Sequence, residues 1–169
     1  DLVDKEYFPS TDQDSRTLPL RAAACQPLYE NGIGFYPVRG NHESSARAAN
    51  EMPVLFPQML GQGANLAGAA NFTPVPTATN LTGLSYSFDC NNLRCVFIDQ
   101  FVRSDGTNAD GTTSYNNNLL DQIDWVEETL SSRPAGQHAF VFSHKNLIGQ
   151  NHKDVVTGAK LDANPTERD

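Results

Sequence analysis

The sequence predicts an α/β fold, because segments with helical and with extended patterns alternate along its 169 residues. Two segments have the composition or apolar spacing of helices: 17–31 and 119–132. Four shorter segments have the residue pattern and length of strands: 33–38 and 138–143, which are apolar, and 85–90 and 94–99, which form a hairpin-like pattern. Polar residues end or follow three of these strands. We therefore expect polar side chains at the carboxyl edge of a sheet, where ligands bind in open α/β proteins.

The two predicted helices differ in what defines them. The first has Pro19 near its start and Asn31-Gly32 at its end, while Pro27 predicts a kink or an early stop. Its Cys25 is interpreted as a buried apolar group rather than a nucleophile. The second helix is amphipathic, with an apolar face formed by residues at helical spacing: Leu119, Ile123, Val126 and Leu130.

The least regular stretch of the sequence is 44–84, which contains four prolines among many Gly, Ala, Asn and Thr residues. A loop of this length in a compact domain is usually functional or poorly ordered. We interpret it as a long insertion or lid-like loop that selects the substrate, with one short helix over 46–52.

Cys90 and Cys95 lie in the predicted hairpin 85–99. A turn centred on Asn92-Leu93 would place them opposite each other, close enough for a disulfide. Two reduced cysteines are the alternative. The disulfide and two glycosylation acceptor patterns, at Asn71 and Asn80, favour a secreted, periplasmic or cell-surface protein over a cytoplasmic one.

The overall composition and charge limit the classes of molecule that the protein is expected to bind. With 38% apolar and 19% charged residues, the chain has the composition of a soluble globular protein, and no apolar run reaches the length of a membrane span. Its formal net charge of -8 argues against binding nucleic acid through a basic surface. A small phosphorylated substrate is compatible with this charge, because bound metal ions reverse the local potential.

Three segments could carry chemistry. Gly40-Asn41-His42-Glu43 follows a predicted strand and presents an amide oxygen and an imidazole, which can bind metal, hold phosphate or donate a proton. His144 directly follows the strand 138–143, and Asp1 and Asp4 open the chain. The alternatives are a turn with a capping Asn and a surface His, an ordinary loop His, and a frayed acidic terminus.

Together these segments resemble the calcineurin-like metallophosphoesterase superfamily. Residues 40–43 match its Gly-Asn-His-Asp/Glu motif, His144 matches its lone His, and Asp1 its Gly-Asp motif without the glycine. The resemblance implies that residues 1–169 are part of a four-layer α-β-β-α sandwich. The domain is expected to be partial, because the family's first Asp-x-His and last Gly-His-x-His motifs are missing.

The resemblance also implies a mechanism of phosphate-ester hydrolysis with two divalent ions, of Mn, Fe, Zn or Mg. Asp1 would bridge the ions, Asn41 and His144 would bind the second one, and a metal-bound hydroxide would attack phosphorus. His42 would be the general acid, oriented by Asp4. The purple acid phosphatase branch is disfavoured, because it has a tyrosine at the position of Asp4.

Two further groups could contact a substrate phosphate: Arg39, just before the motif, and His152, just beyond His144. The competing interpretation is that both are solvated loop residues. Two other functions remain open at this stage. One is a phosphoesterase-like domain that binds metal or ligand without turnover, and the other is an unrelated α/β binding module.

Overall fold

The computed structural model describes Leu2 and residues 17–43, 46–63, 66–75, 83–101 and 122–144. Within these ranges lie three α-helices and four strands, in the order α1 (Thr17–Glu30), α2 (Ala46–Leu55), β1 (Ala70–Pro74), β2 (Tyr86–Cys90), β3 (Leu93–Ile98), α3 (Ile123–Ser131) and β4 (His138–Ser143). Two 3-10 helices, Asn41–Glu43 and Pro57–Leu60, precede and follow α2. The predicted α/β class is confirmed.

The four strands form one mixed sheet in the order β1-β2-β3-β4. β1, β2 and β3 are antiparallel neighbours, whereas β4 runs parallel to β3 with Ile98 opposite Ser143. A parallel pair needs a crossover connection, and α3 lies in the one between β3 and β4. The parallel register brings the ends of β3 and β4, followed by Asp99 and His144, to the same edge of the sheet.

The predicted strand 33–38 is not a strand of this sheet, because it pairs with none of the described strands. Two of its carbonyl groups instead accept hydrogen bonds from side chains. The Phe35 oxygen accepts hydrogen bonds from Tyr29 (2.7 Å) and Gln58 (2.9 Å), and the Pro37 oxygen accepts one from Tyr86 (2.7 Å). Tyrosines on a helix and on β2 thus hold this segment over the sheet.

The helix α1 forms where it is predicted, and Cys25 is buried in it as expected. Pro27 does not end the helix early, because α1 continues to Glu30 and the Asn31 N–H donates to the Pro27 oxygen. Gly32, with a φ of +72°, then takes the left-handed conformation that terminates many helices.

The segment 44–84 contains far more regular structure than predicted. It includes α2, the 3-10 helix Pro57–Leu60 and β1, and α2 extends beyond the short helix expected over 46–52. Met52, Phe56 and Met59 from this segment are buried in the hydrophobic core. These side chains belong to the core, so the described part of 44–84 contributes to the packing of the fold. Its role as an insertion that selects the substrate stays a prediction.

The face that α3 buries agrees in part with its apolar spacing. Val126 and Leu130 are partly buried against the core as predicted, and Trp125 and Thr129 are buried beside them, whereas Ile123 is exposed. β4 is an edge strand of the described sheet, and its Phe140, Val141 and Phe142 are 41–52% exposed. None of the helices in the described ranges combines the length and the apolar character needed to cross a membrane.

The hairpin of β2 and β3 turns at Asn91-Asn92, one residue earlier than predicted, with a φ of +53° at Asn91. The register therefore places Cys95 opposite Phe88 and Cys90 opposite Leu93. All three cysteines carry free thiols in this structure. The Cys90–Cys95 disulfide stays a prediction, and it would have to form between diagonal positions, which lie farther apart than opposite ones.

Candidate functional site

Residues 40–43, called the 40–43 corner from here on, form a tight turn at the end of the segment that lies over the sheet. Asn41–Glu43 is a single 3-10 turn, in which the Glu43 N–H donates to the Gly40 oxygen (3.2 Å). The buried Glu43 carboxylate accepts the Gly40 N–H through Oε2 (2.9 Å). Glu43 therefore closes the turn from inside as a hydrogen-bond acceptor.

The second oxygen of Glu43 ties the start of the chain to this corner. Oε1 accepts the backbone N–H of Leu2 (2.8 Å), and the Leu2 oxygen accepts a hydrogen bond from Arg21 Nε of α1 (2.8 Å). Both polar backbone groups of Leu2 are therefore held. One carboxylate joins two stretches of sequence that are 41 residues apart.

Arg39, directly before the corner, is completely buried. Its guanidinium forms a two-point pair with Asp99, from Nε to Oδ2 (2.7 Å) and from Nη2 to Oδ1 (2.8 Å). Nη2 also donates to the Phe101 oxygen (2.7 Å). The interpretation of Arg39 as a solvated loop residue is wrong, and burial also leaves its side chain no surface with which to touch a substrate.

Asp99 lies at the centre of a buried polar network at the end of β3. Its backbone N–H donates to Ser85 Oγ (2.9 Å), and its backbone oxygen accepts from Gln122 Nε2 (2.9 Å). Ser85 in turn donates to Gln122 Oε1 (2.5 Å), and the three side chains are at most 2% exposed. Gln122 precedes α3, so the network joins β3 to the crossover that leads to β4.

Phe101 connects this network to His144. Its N–H donates to Asp99 Oδ1 (2.7 Å), which fixes its backbone beside the ion pair. The Arg39 guanidinium carbon lies 5.7 Å from the centre of the Phe101 ring, a cation–π distance. The His144 ring centre lies 6.0 Å from the same ring. Phe101 thus contacts both the residue that precedes the corner and the histidine that follows β4.

Part of the predicted site lies within the described residues. His42 is half-buried on the corner, Asn41 begins the same 3-10 turn, and His144 follows β4 as predicted. Three of the predicted residues, Asp1, Asp4 and His152, lie outside the described residues, as does the side chain of Asn41.

No group of three or more His, Cys, Asp or Glu side chains that could hold a metal ion is found in the part of the chain that the structure describes. The imidazole of His144 and the amide of Asn41 are suitable donor types for a divalent ion. A two-metal site would therefore take further ligands from outside the described ranges.

A separate pocket of about 330 Å³ opens between α1 and the segment that follows α2. Its polar lining comes from Gln26, Tyr29 and Glu30 of α1 and from Gln58 and Gln62 opposite them. Burial raises the pKa of Tyr29 above its ordinary range, so its hydroxyl remains a donor at neutral pH. None of the predicted site residues lines this pocket.

The buried pair Arg39–Asp99 is the feature of the site that sequence reasoning missed. The strand pattern predicts Asp99 only as the polar end of the segment 94–99. A signal for the pair is nevertheless present, because Asp99 directly follows the apolar run 95–98 and Arg39 stands between Val38 and Gly40. Charged residues among apolar neighbours at strand ends are candidates for buried pairing.

Comparisons with models of known protein families, with curated proteins and with solved structures find no match to this chain. The contacts around the 40–43 corner and the motifs of the sequence are therefore the basis for a functional proposal.

Proposed function

We propose that the intact protein is a metal-dependent hydrolase of phosphate esters, related to the calcineurin-like metallophosphoesterases. One observation carries this proposal. The Glu43 carboxylate binds both the Gly40 N–H and the Leu2 N–H, so the residue that follows Asp1 lies against the 40–43 corner. The two segments that the resemblance assigns to one metal centre thus approach each other, although they are far apart in sequence.

In this proposal the chain is part of a four-layer α-β-β-α sandwich, and the described sheet belongs to one of its two β layers. Asp1, Asn41 and His144 would hold divalent ions, of Mn, Fe, Zn or Mg. Such ions supply a nucleophile at neutral pH and neutralise charge on a phosphoryl group. The substrate is a small phosphate ester, and a secreted, periplasmic or cell-surface location agrees with the sequence patterns.

The protein's own contribution would come mainly from His42. Its position on a short turn, closed by Glu43, limits the directions in which the imidazole can point. Facing the phosphate, it would donate a proton to the leaving oxygen, and Asp4 would orient the ring for this transfer. General acid catalysis of this kind accelerates a reaction by about 10²–10⁴-fold.

The test is hydrolysis of an aryl phosphate by the full-length protein with added Mn²⁺. We expect His42→Ala to lower kcat by about 10²–10⁴-fold while Mn²⁺ binding is retained. His138→Ala is the matched control, because His138 is an exposed histidine at the start of β4, at the end of that strand far from His144. Undiminished turnover in His42→Ala would refute the role of His42. Mn²⁺ binding by the wild-type protein without turnover would instead support a metal-binding domain that lacks activity.

A further inference from the structure

We propose that the buried Arg39–Asp99 pair is a positioning device that fixes the 40–43 corner relative to His144. This inference rests on the proposed function, since it assigns both places to one active site. Arg39 and Asp99 touch neither the substrate nor a metal ion in this scheme. They act through the neighbours that they hold.

Arg39 is connected to the corner through the backbone. Arg39 is covalently joined to Gly40, whose N–H is bound by Glu43 (2.9 Å). The guanidinium is planar and meets the Asp99 carboxylate at two points, which fixes its orientation as well as its distance. The backbone at Arg39 is therefore anchored to the end of β3, three residues before His42.

Asp99 is connected to His144 through Phe101. The same pair holds Phe101 twice, since Arg39 donates to its oxygen and Asp99 accepts its N–H (both 2.7 Å). The held Phe101 ring then contacts the His144 ring, with the two ring centres 6.0 Å apart. A shift of the pair therefore moves the surface against which His144 packs.

The Arg39–Asp99 pair provides directional hydrogen bonds that an apolar core would lack. Apolar residues of similar volume fill a core as well as a buried ion pair does, and often better. They lack the directional hydrogen bonds that fix Phe101 and the end of β3. The geometry thus points to a role in alignment in addition to filling the core.

The chain offers a matched control in a second pair, Arg94–Asp89. Its arginine also meets the carboxylate at two points (2.8 and 3.0 Å) and donates to a backbone oxygen, that of Thr129 (2.8 Å). This pair connects β2, β3 and α3 near the hairpin turn, at the opposite end of β3 from Asp99. Arg→Lys at each site preserves the charge and removes the two-point geometry.

The experiment compares Arg39→Lys with Arg94→Lys in the full-length protein. We expect Arg39→Lys to lower kcat for an aryl phosphate by about 10–100-fold, the usual effect of losing a group that orients a ligand. KM should change by less than about threefold, because the pair does not contact substrate. Arg94→Lys should alter kcat by less than about twofold.

A second readout does not depend on turnover. The imidazole resonances of His144, assigned with His144→Ala, should shift in Arg39→Lys and in Phe101→Leu but not in Arg94→Lys. Absence of activity in the wild-type protein would refute the proposed function, whereas unchanged His144 resonances in Arg39→Lys would refute the positioning role. The two failures are therefore distinguishable.

The double variant Arg39→Met/Asp99→Leu covers the case in which Arg39→Lys does not fold. It replaces the pair with apolar side chains, so we expect a folded protein with shifted His144 resonances and reduced kcat. A folded double variant with wild-type resonances and kcat would show that the pair only fills the core, and the inference would fall. Failure of both variants to fold would also overturn it, in favour of a purely structural pair.

Discussion

Two arginine–aspartate pairs of nearly the same geometry stabilise different parts of this chain. In each, the arginine binds its carboxylate at two points and donates to one backbone oxygen. The side chains of Arg39 and Asp99 are fully buried, whereas those of Arg94 and Asp89 are 13% and 12% exposed. The first pair joins residues 60 positions apart, and the second joins residues five positions apart.

The comparison shows that hydrogen-bond geometry alone does not determine how much stability is lost when one partner of an ion pair is removed. A buried charge that loses its partner stays in a medium of low polarity, at a large cost in free energy. A charge close to water regains much of its solvation when its partner is removed. The connections that each pair makes differ as well, because only Arg39–Asp99 joins the 40–43 corner to the end of the sheet.

The largest expected effect is that of Asp99→Asn on stability. It removes the charge opposite Arg39, so we expect the free energy of unfolding to fall by about 3–5 kcal/mol. Asp89→Asn should cost about 1 kcal/mol or less, because Arg94 can reach solvent. Urea unfolding of the full-length protein measures both values. Equal losses would show that burial does not distinguish the two pairs.

A smaller effect is expected for Tyr86→Phe, which removes a hydrogen bond to the segment that leads to Arg39. Burial raises the pKa of Tyr86 well above its ordinary value, so its hydroxyl remains a donor to the Pro37 oxygen. Loss of this bond leaves a buried acceptor unsatisfied, at a cost of about 1–3 kcal/mol. Tyr29→Phe is the matched control, and should cost less, because Gln58 still donates to the Phe35 oxygen. Thermal unfolding that ranks Tyr29→Phe as the more damaging change would contradict this.

The smallest effect concerns pH and the Arg94–Asp89 pair. The hydrogen bonds from Arg94 hold the pKa of Asp89 below its ordinary value. Its contribution to stability is therefore complete above the pKa of the unfolded chain, about 4, and is lost as pH falls through the lower, folded value. Asp89→Asn should flatten the fall in stability below about pH 4 slightly. Identical acid titrations of the two proteins, followed by circular dichroism, would count against this.

The local patterns of the sequence predicted much of the fold. The hairpin, α1 and β4 could be located because apolar runs, turn residues and helix stops act over a few positions. The segment 33–38 could not be assigned correctly, since its backbone partners are Tyr29, Gln58 and Tyr86, which are separated from it by up to about fifty residues. The burial of Trp125 could not be predicted for a similar reason, because its partners in the core are not revealed by the helical spacing that correctly selects Val126 and Leu130.

The candidate site was predictable as a set of residue types but not as a set of contacts. Gly40, His42 and Glu43 could be selected because their chemistry and order are distinctive. The role of Arg39 could not, because a single arginine before a glycine is as consistent with solvent as with a buried partner. Only the fold shows that Asp99, which follows β3, pairs with it.

The turn at Asn91-Asn92 has a consequence for how the molecule folds. A two-residue turn with a positive φ at its first position matches the twist of adjoining strands, and such hairpins form within about 1–10 μs. The Arg94–Asp89 pair belongs to that local event. The Arg39–Asp99 pair can form only after a loop of 60 residues has closed, so we expect it to assemble late. In a mutational analysis of folding rates, the fraction of native interaction present in the transition state should be low at Arg39 and higher in the hairpin. Growth of the structure would then start at the end of the sheet far from the candidate site and reach that site last.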